Sequence, residues 1–201
     1  YNLFLSQSYK DSWREYERWL ERSEGWDFVV LTASNETQAE GYRQEIQWRR
    51  RQGYLPGGCA FVVLSDPEGK RVGSGGATLG VLRSLVTEYG NGTMDSLRGK
   101  SILVIHSGGD SKRIPQYSVC GKLFSPVPRL LPDGRPSTLF DEFLISMAAV
   151  AGRVSEGMLV LSGDVLLLFN SLQLDFQYEG AAAISIKTPV EIGQEHGVFL
   201  C

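Results

Sequence analysis

The sequence predicts an α/β fold, a mostly parallel, Rossmann-like sheet flanked by helices. Three observations carry that reading. The runs Trp26 to Ala33, Cys59 to Ser65 and Ile102 to His106 are apolar with little alternation, the pattern of strands buried on both faces of a parallel sheet. A helical segment separates the first two, and strand, helix, strand in that order implies a right-handed βαβ unit. The third run stops at Gly108 and Gly109, as a strand does when it delivers a loop to the carboxyl edge of an open sheet, where ligands bind.

A chain of 201 residues is long enough to bury a real core and fits one domain, or a domain and a fragment of the next. Its 20 basic and 23 acidic residues leave a net charge of -3, which gives no global attraction to nucleic acid or membranes, so any anion site must be local. No apolar run reaches the ~18 residues of a membrane span. Cys59, Cys120 and Cys201 show no metal-ligand spacing and two histidines cannot complete a zinc site with them, which points to a reducing, cytoplasmic setting. The chain opens on Tyr1 and stops at Cys201 just after an apolar run, so it is expected to be an incomplete domain continuous with further C-terminal domains.

Residues 1–25 are read as an amphipathic helix and residues 26–201 as the α/β domain. Tyr9, Trp13, Tyr16 and Leu20 recur at spacings of four, three and four, an aromatic stripe suited to core packing. Asn35 is a fair N-cap for the helix running to Gln52, and Arg49, Arg50 and Arg51 are expected as a solvated helix C-terminus where cations complement the dipole. Asp66-Pro67-Glu68-Gly69 is a turn. Gly73, Ser74, Gly75 and Gly76 then lead into a helix carrying Leu79, Leu82, Val86 and Tyr89. A glycine-rich loop feeding a helix N-terminus exposes free N–H groups at the positive end of the dipole, and so suits an anion; a flexible connection is the competing reading.

Gly90 to Gly99 is a polar connection, and Asp133-Gly134 a further turn. Ser137 is expected to begin a helix ending near Gly152. Met158 to Leu161 is the next strand, ending in Ser162-Gly163-Asp164. An aspartate at the carboxyl end of an interior strand is expensive without a partner, which suggests a divalent cation; a turn-capping role competes. Ala181 to Lys187 is expected as a further strand.

The stretch from Ile102 to Pro128 organises the rest. Gly108 and Gly109 allow the main chain to approach a ligand closely, so that successive N–H groups, with Asp110 and Ser111, can converge on phosphate oxygens. Arg113 adds a planar cationic fork and Lys122 a compact point charge. Two cations beside a phosphate cradle suggest chemistry at a polyphosphate.

The string Gly108 to Pro115, with Gly121-Lys122 and Pro126-Val127-Pro128, resembles the signature of the sugar-nucleotide pyrophosphorylases. It departs from the general pattern at Ser111 and Lys112. Together with Asp66-Pro67-Glu68-Gly69-Lys70, Gly73 to Thr78 and His196-Gly197-Val198-Phe199, it is similar to the L-fucokinase and fucose-1-phosphate guanylyltransferase family over about residues 26 to 200. The resemblance implies a GT-A-like nucleotidyltransferase domain with GTP and a sugar 1-phosphate as partners, and Mg2+ as cofactor. It implies that Arg113 and Lys122 are catalytic, that Gly73, Ser74, Gly75, Gly76, Gly108, Gly109, Asp110 and Ser111 bind nucleotide, that Asp164 holds the metal, and that His196 and Gly197 contact the sugar. The reaction implied is GTP plus L-fucose 1-phosphate giving GDP-L-fucose and pyrophosphate. Two alternatives stay open: an L-fucokinase protein whose kinase module lies outside this chain, and a non-catalytic nucleotide- or sugar-binding domain.

Overall fold

The computed structural model describes residues 2–22, 24–107, 121–165, 169, 179–185 and 187–193. Strands β1 (Phe28–Ala33), β2 (Ala60–Ser65) and β3 (Ser101–His106) coincide with the three apolar runs. The last strand of the sheet, β6 (Gly157–Ser162), completes the order β2-β1-β3-β6, all parallel. Helix α2 (Glu36–Arg51) joins β1 to β2, and α3 (Gly73–Ser84), extended by a wider turn at Leu85–Tyr89, lies between β2 and β3. Helix α4 (Leu139–Ala151) precedes β6, and α1 (Asn2–Arg22) packs against α4. A short antiparallel hairpin, β4 (Pro126–Leu130) and β5 (Pro136–Thr138), turns at Asp133-Gly134, and α5 (Val190–Gly193) is a single turn.

Because successive strand side chains point to opposite faces, β1 feeds two cores. Val29, Leu31 and Ala33 join Leu103, Ile105, the aromatic stripe of α1 and the apolar faces of α2 and α4. Phe28 and Val30 join Val62, Ile102, Val104, Val81, Leu85 and Leu97 on the other face. Trp13, Tyr16 and Trp19 of α1 are buried, and the Tyr16 hydroxyl donates to the Tyr54 carbonyl at 2.6 Å. Trp26 donates its indole N–H to the Met147 carbonyl at 3.1 Å, tying the entry to β1 onto α4. The caps follow the sequence: the Asn35 side chain accepts from the Gln38 N–H, and Thr138 forms a capping box with Asp141.

Several expectations change. Arg49 is not solvated but 3% exposed. Its guanidinium donates to both Asp141 oxygens at 3.0 and 3.2 Å, to Glu45 at 2.6 Å and to Thr138 at 3.1 Å, and sits 4.9 Å from the centre of the Phe124 ring. The cause is a carboxylate 92 positions away in the chain, which converts a burial penalty into a paired, hydrogen-bonded cation. The fully buried residues are Val81 on α3 and Leu85 in its extension, one turn apart; of the expected apolar face Leu82 and Val86 pack partly buried against them, while Leu79 and Tyr89 are exposed. Ser137 lies in β5 and α4 begins two residues later, since Thr138 holds the cap. Residues 181–185 and Lys187 form no strand; they are exposed, and no described strand offers them a ladder.

Candidate active site

In the strand order β2-β1-β3-β6 the chain runs outward from β1 to β2 and then returns to the other side of β1 with β3. The carboxyl ends of β1 and β3 therefore flank a topological switch point, the place where open α/β sheets bind ligands. A polar cleft of about 260 Å³ opens there. It is lined by Thr32 and Ser34 after β1, Asp66 and Arg71 after β2, His106 of β3, Ser162 of β6, and Gly73, Ser74 and Ala77 of α3. A larger groove of about 730 Å³ runs between α1 and the end of α4, but it lies away from the carboxyl edge and its α1 wall is a solvated face of Asp11, Arg14, Glu15 and Arg18.

The glycine-rich segment is the first turn of α3 rather than a loop before it. Its N-cap position is Val72, whose side chain has no oxygen with which to cap the helix. The leading N–H groups of a helix have no partner within it. Those of α3 begin at the cleft, where they present partial positive charge to an anion. A Cβ built on Gly75 would meet nothing within 4 Å, so that position is open space rather than close packing.

His106 is the organising side chain of the cleft, and the sequence reading gave it no role. Its Nδ1 lies 3.1 Å from the Thr32 hydroxyl and its Nε2 2.9 Å from the Thr78 hydroxyl on α3. Burial holds the imidazole below its ordinary value, against the opposing pull of Asp66. Burial likewise raises the Asp66 carboxyl, which Arg71 and His106 counter. The signal available in the sequence was a lone polar residue ending an otherwise apolar strand.

Of the predicted site residues, Gly73 and Ser74 line the cleft, and Gly75 and Gly76 follow in the same helical turn. Lys122 is half-buried in the turn before β4. That turn is fixed by Gly121, whose φ of +70° suits glycine and whose added Cβ would fall 2.0 Å from the buried Tyr42 hydroxyl. Tyr42 in turn donates to the Ser107 carbonyl at 3.3 Å, which sets the Gly121-Lys122 turn beside the carboxyl end of β3. Asp164 is exposed just beyond β6 and accepts from the Ser162 hydroxyl at 2.6 Å. Among the described strands β6 is an edge, so the expected cost of an interior carboxylate does not arise. Gly108, Gly109, Asp110, Ser111, Arg113, His196 and Gly197 lie outside the described residues.

Among the described residues no group of three His, Cys, Asp or Glu side chains gathers to hold a metal, and no helix is long and apolar enough to cross a membrane. The single solvated carboxylate of Asp164, next to a residue of the cleft, fits Mg2+, which commonly takes one or two protein carboxylates and completes its shell with phosphate oxygens and water.

These features define a parallel α/β domain with a cleft lined by polar side chains at its switch point. The sequence model of the fucose pyrophosphorylase domain matches residues 94–201, and the chain belongs to that family. It is 33% identical over 196 residues to the bifunctional fucokinase/GDP-fucose pyrophosphorylase of Arabidopsis thaliana, covering 87% of this chain and 19% of the plant protein. It is 34% identical over 183 residues to the fucose-1-phosphate guanylyltransferase of Homo sapiens, covering 89% of this chain and 29% of the human protein. With the L-fucokinase/L-fucose-1-P guanylyltransferase of Bacteroides fragilis it shares 41% identity over 70 residues, 34% of this chain and 7% of that protein. The chain thus spans less than a third of the length of these relatives. No solved structure matches it.

Proposed function

We propose that this chain forms the nucleotide-binding part of a guanylyltransferase that moves GMP from GTP to L-fucose 1-phosphate, giving GDP-L-fucose and pyrophosphate. The observation that carries the reading is the uncapped, glycine-rich start of α3 opening into a polar cleft at the switch point. The names of the plant, human and bacterial relatives supply the sugar and the base.

The attacking sugar phosphate is already ionised at neutral pH, so the reaction asks little of acids and bases. It asks for charge management, because two anions must meet while charge builds on the α-phosphate and the departing pyrophosphate. In this reading the N–H groups of Gly73 to Gly76, with Gly108, Gly109, Asp110 and Ser111, receive the nucleotide. Arg113 contacts the β and γ phosphates and Lys122 the α-phosphate and sugar phosphate. Asp164 would hold Mg2+, which when bound neutralises phosphate charge. His196 and Gly197 would contact the sugar. The compartment in this reading is the cytoplasm, with which the free thiol of Cys59 agrees.

The test is Mg2+-dependent pyrophosphate release by the full-length protein, offered GTP with L-fucose 1-phosphate, mannose 1-phosphate or glucose 1-phosphate. Release with fucose 1-phosphate, cut ~100- to 1,000-fold in Lys122→Ala as for loss of one electrostatic donor, is the expected result. Silence with all three sugar phosphates, alongside retained GTP binding, would replace the transferase by a binding domain.

A further inference from the structure

We infer that His106 is a positioning residue whose Nε2–H holds the glycine-rich start of α3 in register with the carboxyl edge of the sheet. The inference rests on the nucleotide reading of the cleft and goes beyond it by assigning a group that sets the cradle's place.

Proton bookkeeping fixes the arrangement. The Thr78 hydroxyl donates its one hydrogen to the Ser74 carbonyl at 2.8 Å, so toward His106 it can only accept. In that arrangement Nε2, 2.9 Å away, carries the proton. In the neutral ring Nδ1 then has a lone pair, and the Thr32 hydroxyl at 3.1 Å donates to it. The chain of bonds runs from Thr32 on β1 through His106 on β3 to Thr78 and then to Ser74, one turn back at the mouth of the cleft. Thr32 and His106 are also paired across the β1–β3 ladder, so the relay starts at the switch point itself.

The neighbouring structure gives the relay its purpose. The start of α3 has no side-chain cap, and α3 buries only Val81 within its own span before Leu85. A helix held that lightly needs a tether near its N-terminus if its N–H groups are to aim at one place. The His106 backbone is itself pinned, since its carbonyl accepts from the Gly163 N–H at 2.8 Å. Asp66, Arg71 and Ser162 share the cleft, and none of them is required for the Thr32–His106–Thr78–Ser74 bonds.

Two measurements on the full-length protein test this. The first is the ¹⁵N spectrum of its imidazoles: His106 should show a neutral ring protonated at Nε2, with the signal displaced in Thr78→Val. A ring protonated at Nδ1 would overturn the relay whatever the nucleotide does. The second is GTP binding and steady-state kinetics of His106→Leu, Thr78→Val, the double variant and His106→Gln. Removing one hydrogen bond and leaving its partner unsatisfied should weaken GTP binding and raise its KM about 5- to 10-fold. The double variant should be no worse than the weaker single, as for two ends of one bond. His106→Gln, which keeps an N–H donor toward Thr78, should restore binding to within about twofold, with kcat at saturation little changed throughout. Unaltered GTP binding in His106→Leu, or losses that add in the double variant, would overturn the positioning role. Absence of GTP binding in the wild-type protein, with the Nε2 tautomer in place, would instead overturn the nucleotide reading and the positioning role with it.

Discussion

The two faces of the sheet are built on different terms. One face carries three helices and most of the large buried side chains, among them Trp19, Trp26, Tyr16, Tyr42, Phe140 and Phe143, all under 2% exposed. The other carries α3, its extension and the short turn Met94–Leu97, with Val81, Leu85 and Leu97 as their buried side chains. Burial of an aromatic side chain contributes about 1.5–3 kcal/mol, so the first face supplies most of the stability. The second face gives up packing to present a glycine-rich helix start at the cleft. Stability and ligand approach are thus assigned to opposite sides of one set of strands.

Breaking the heavy face should cost most. Asp141→Ala leaves the Arg49 guanidinium buried among Phe124, Phe140 and Trp48 without its bidentate partner, a loss of about 3–5 kcal/mol in chemical denaturation. A loss below about 1 kcal/mol, the range of exposed pairs, would show that this ion pair is solvated instead. On the light face, Val81→Ala should cost only about 2 kcal/mol, from two buried methyl groups and a small cavity. It should also weaken GTP binding, because it loosens the helix that carries the cradle; an unaffected affinity would separate α3 packing from the site.

A smaller effect sharpens the same contrast at the opposite end of the strands. Burial pushes the Asp27 carboxyl up, but hydrogen bonds from the Ser101 N–H, the Lys100 ammonium and the Ser101 hydroxyl outweigh it and hold it below the ordinary carboxylate range. The unfolded chain takes up that proton more readily than the folded one. Asp27 therefore stabilises fully above the ordinary carboxylate pKa and loses that contribution as pH falls through its depressed folded value. Asp27→Asn should flatten the acid limb of the stability curve, and an acid limb of unchanged steepness would contradict the assignment.

Much of the sheet was legible because parallel strands buried on both faces read as unbroken apolar runs. Asn35 was legible as a cap because capping is local, and the turn at Asp133-Gly134 for the same reason. The hairpin around that turn was not, since Pro126, Pro128 and Pro136 are unfavourable in strands and appear here only in a small, largely exposed two-stranded ribbon. Arg49 was misread because its partner is remote in sequence, and no local pattern reports Asp141. At the site, Gly73 to Gly76 were visible as a glycine-rich entry to a helix, whereas His106 was hidden inside its own strand. Its role depends on Thr32 and Thr78, which only the fold brings to it.

The most direct measurement is the GTP affinity and thermal stability of Gly75→Asp, by calorimetry on the full-length protein. The added side chain enters open space at the third position of α3, in the turn whose Gly73 and Ser74 line the cleft, where a carboxylate complements the helix dipole and repels a phosphate. The expected result is GTP affinity reduced by more than about 100-fold, the scale of two lost hydrogen bonds to a charged group, with Tm unchanged or slightly raised. GTP affinity equal to that of the wild-type protein, at equal stability, would contradict the assignment of the start of α3 as the phosphate site.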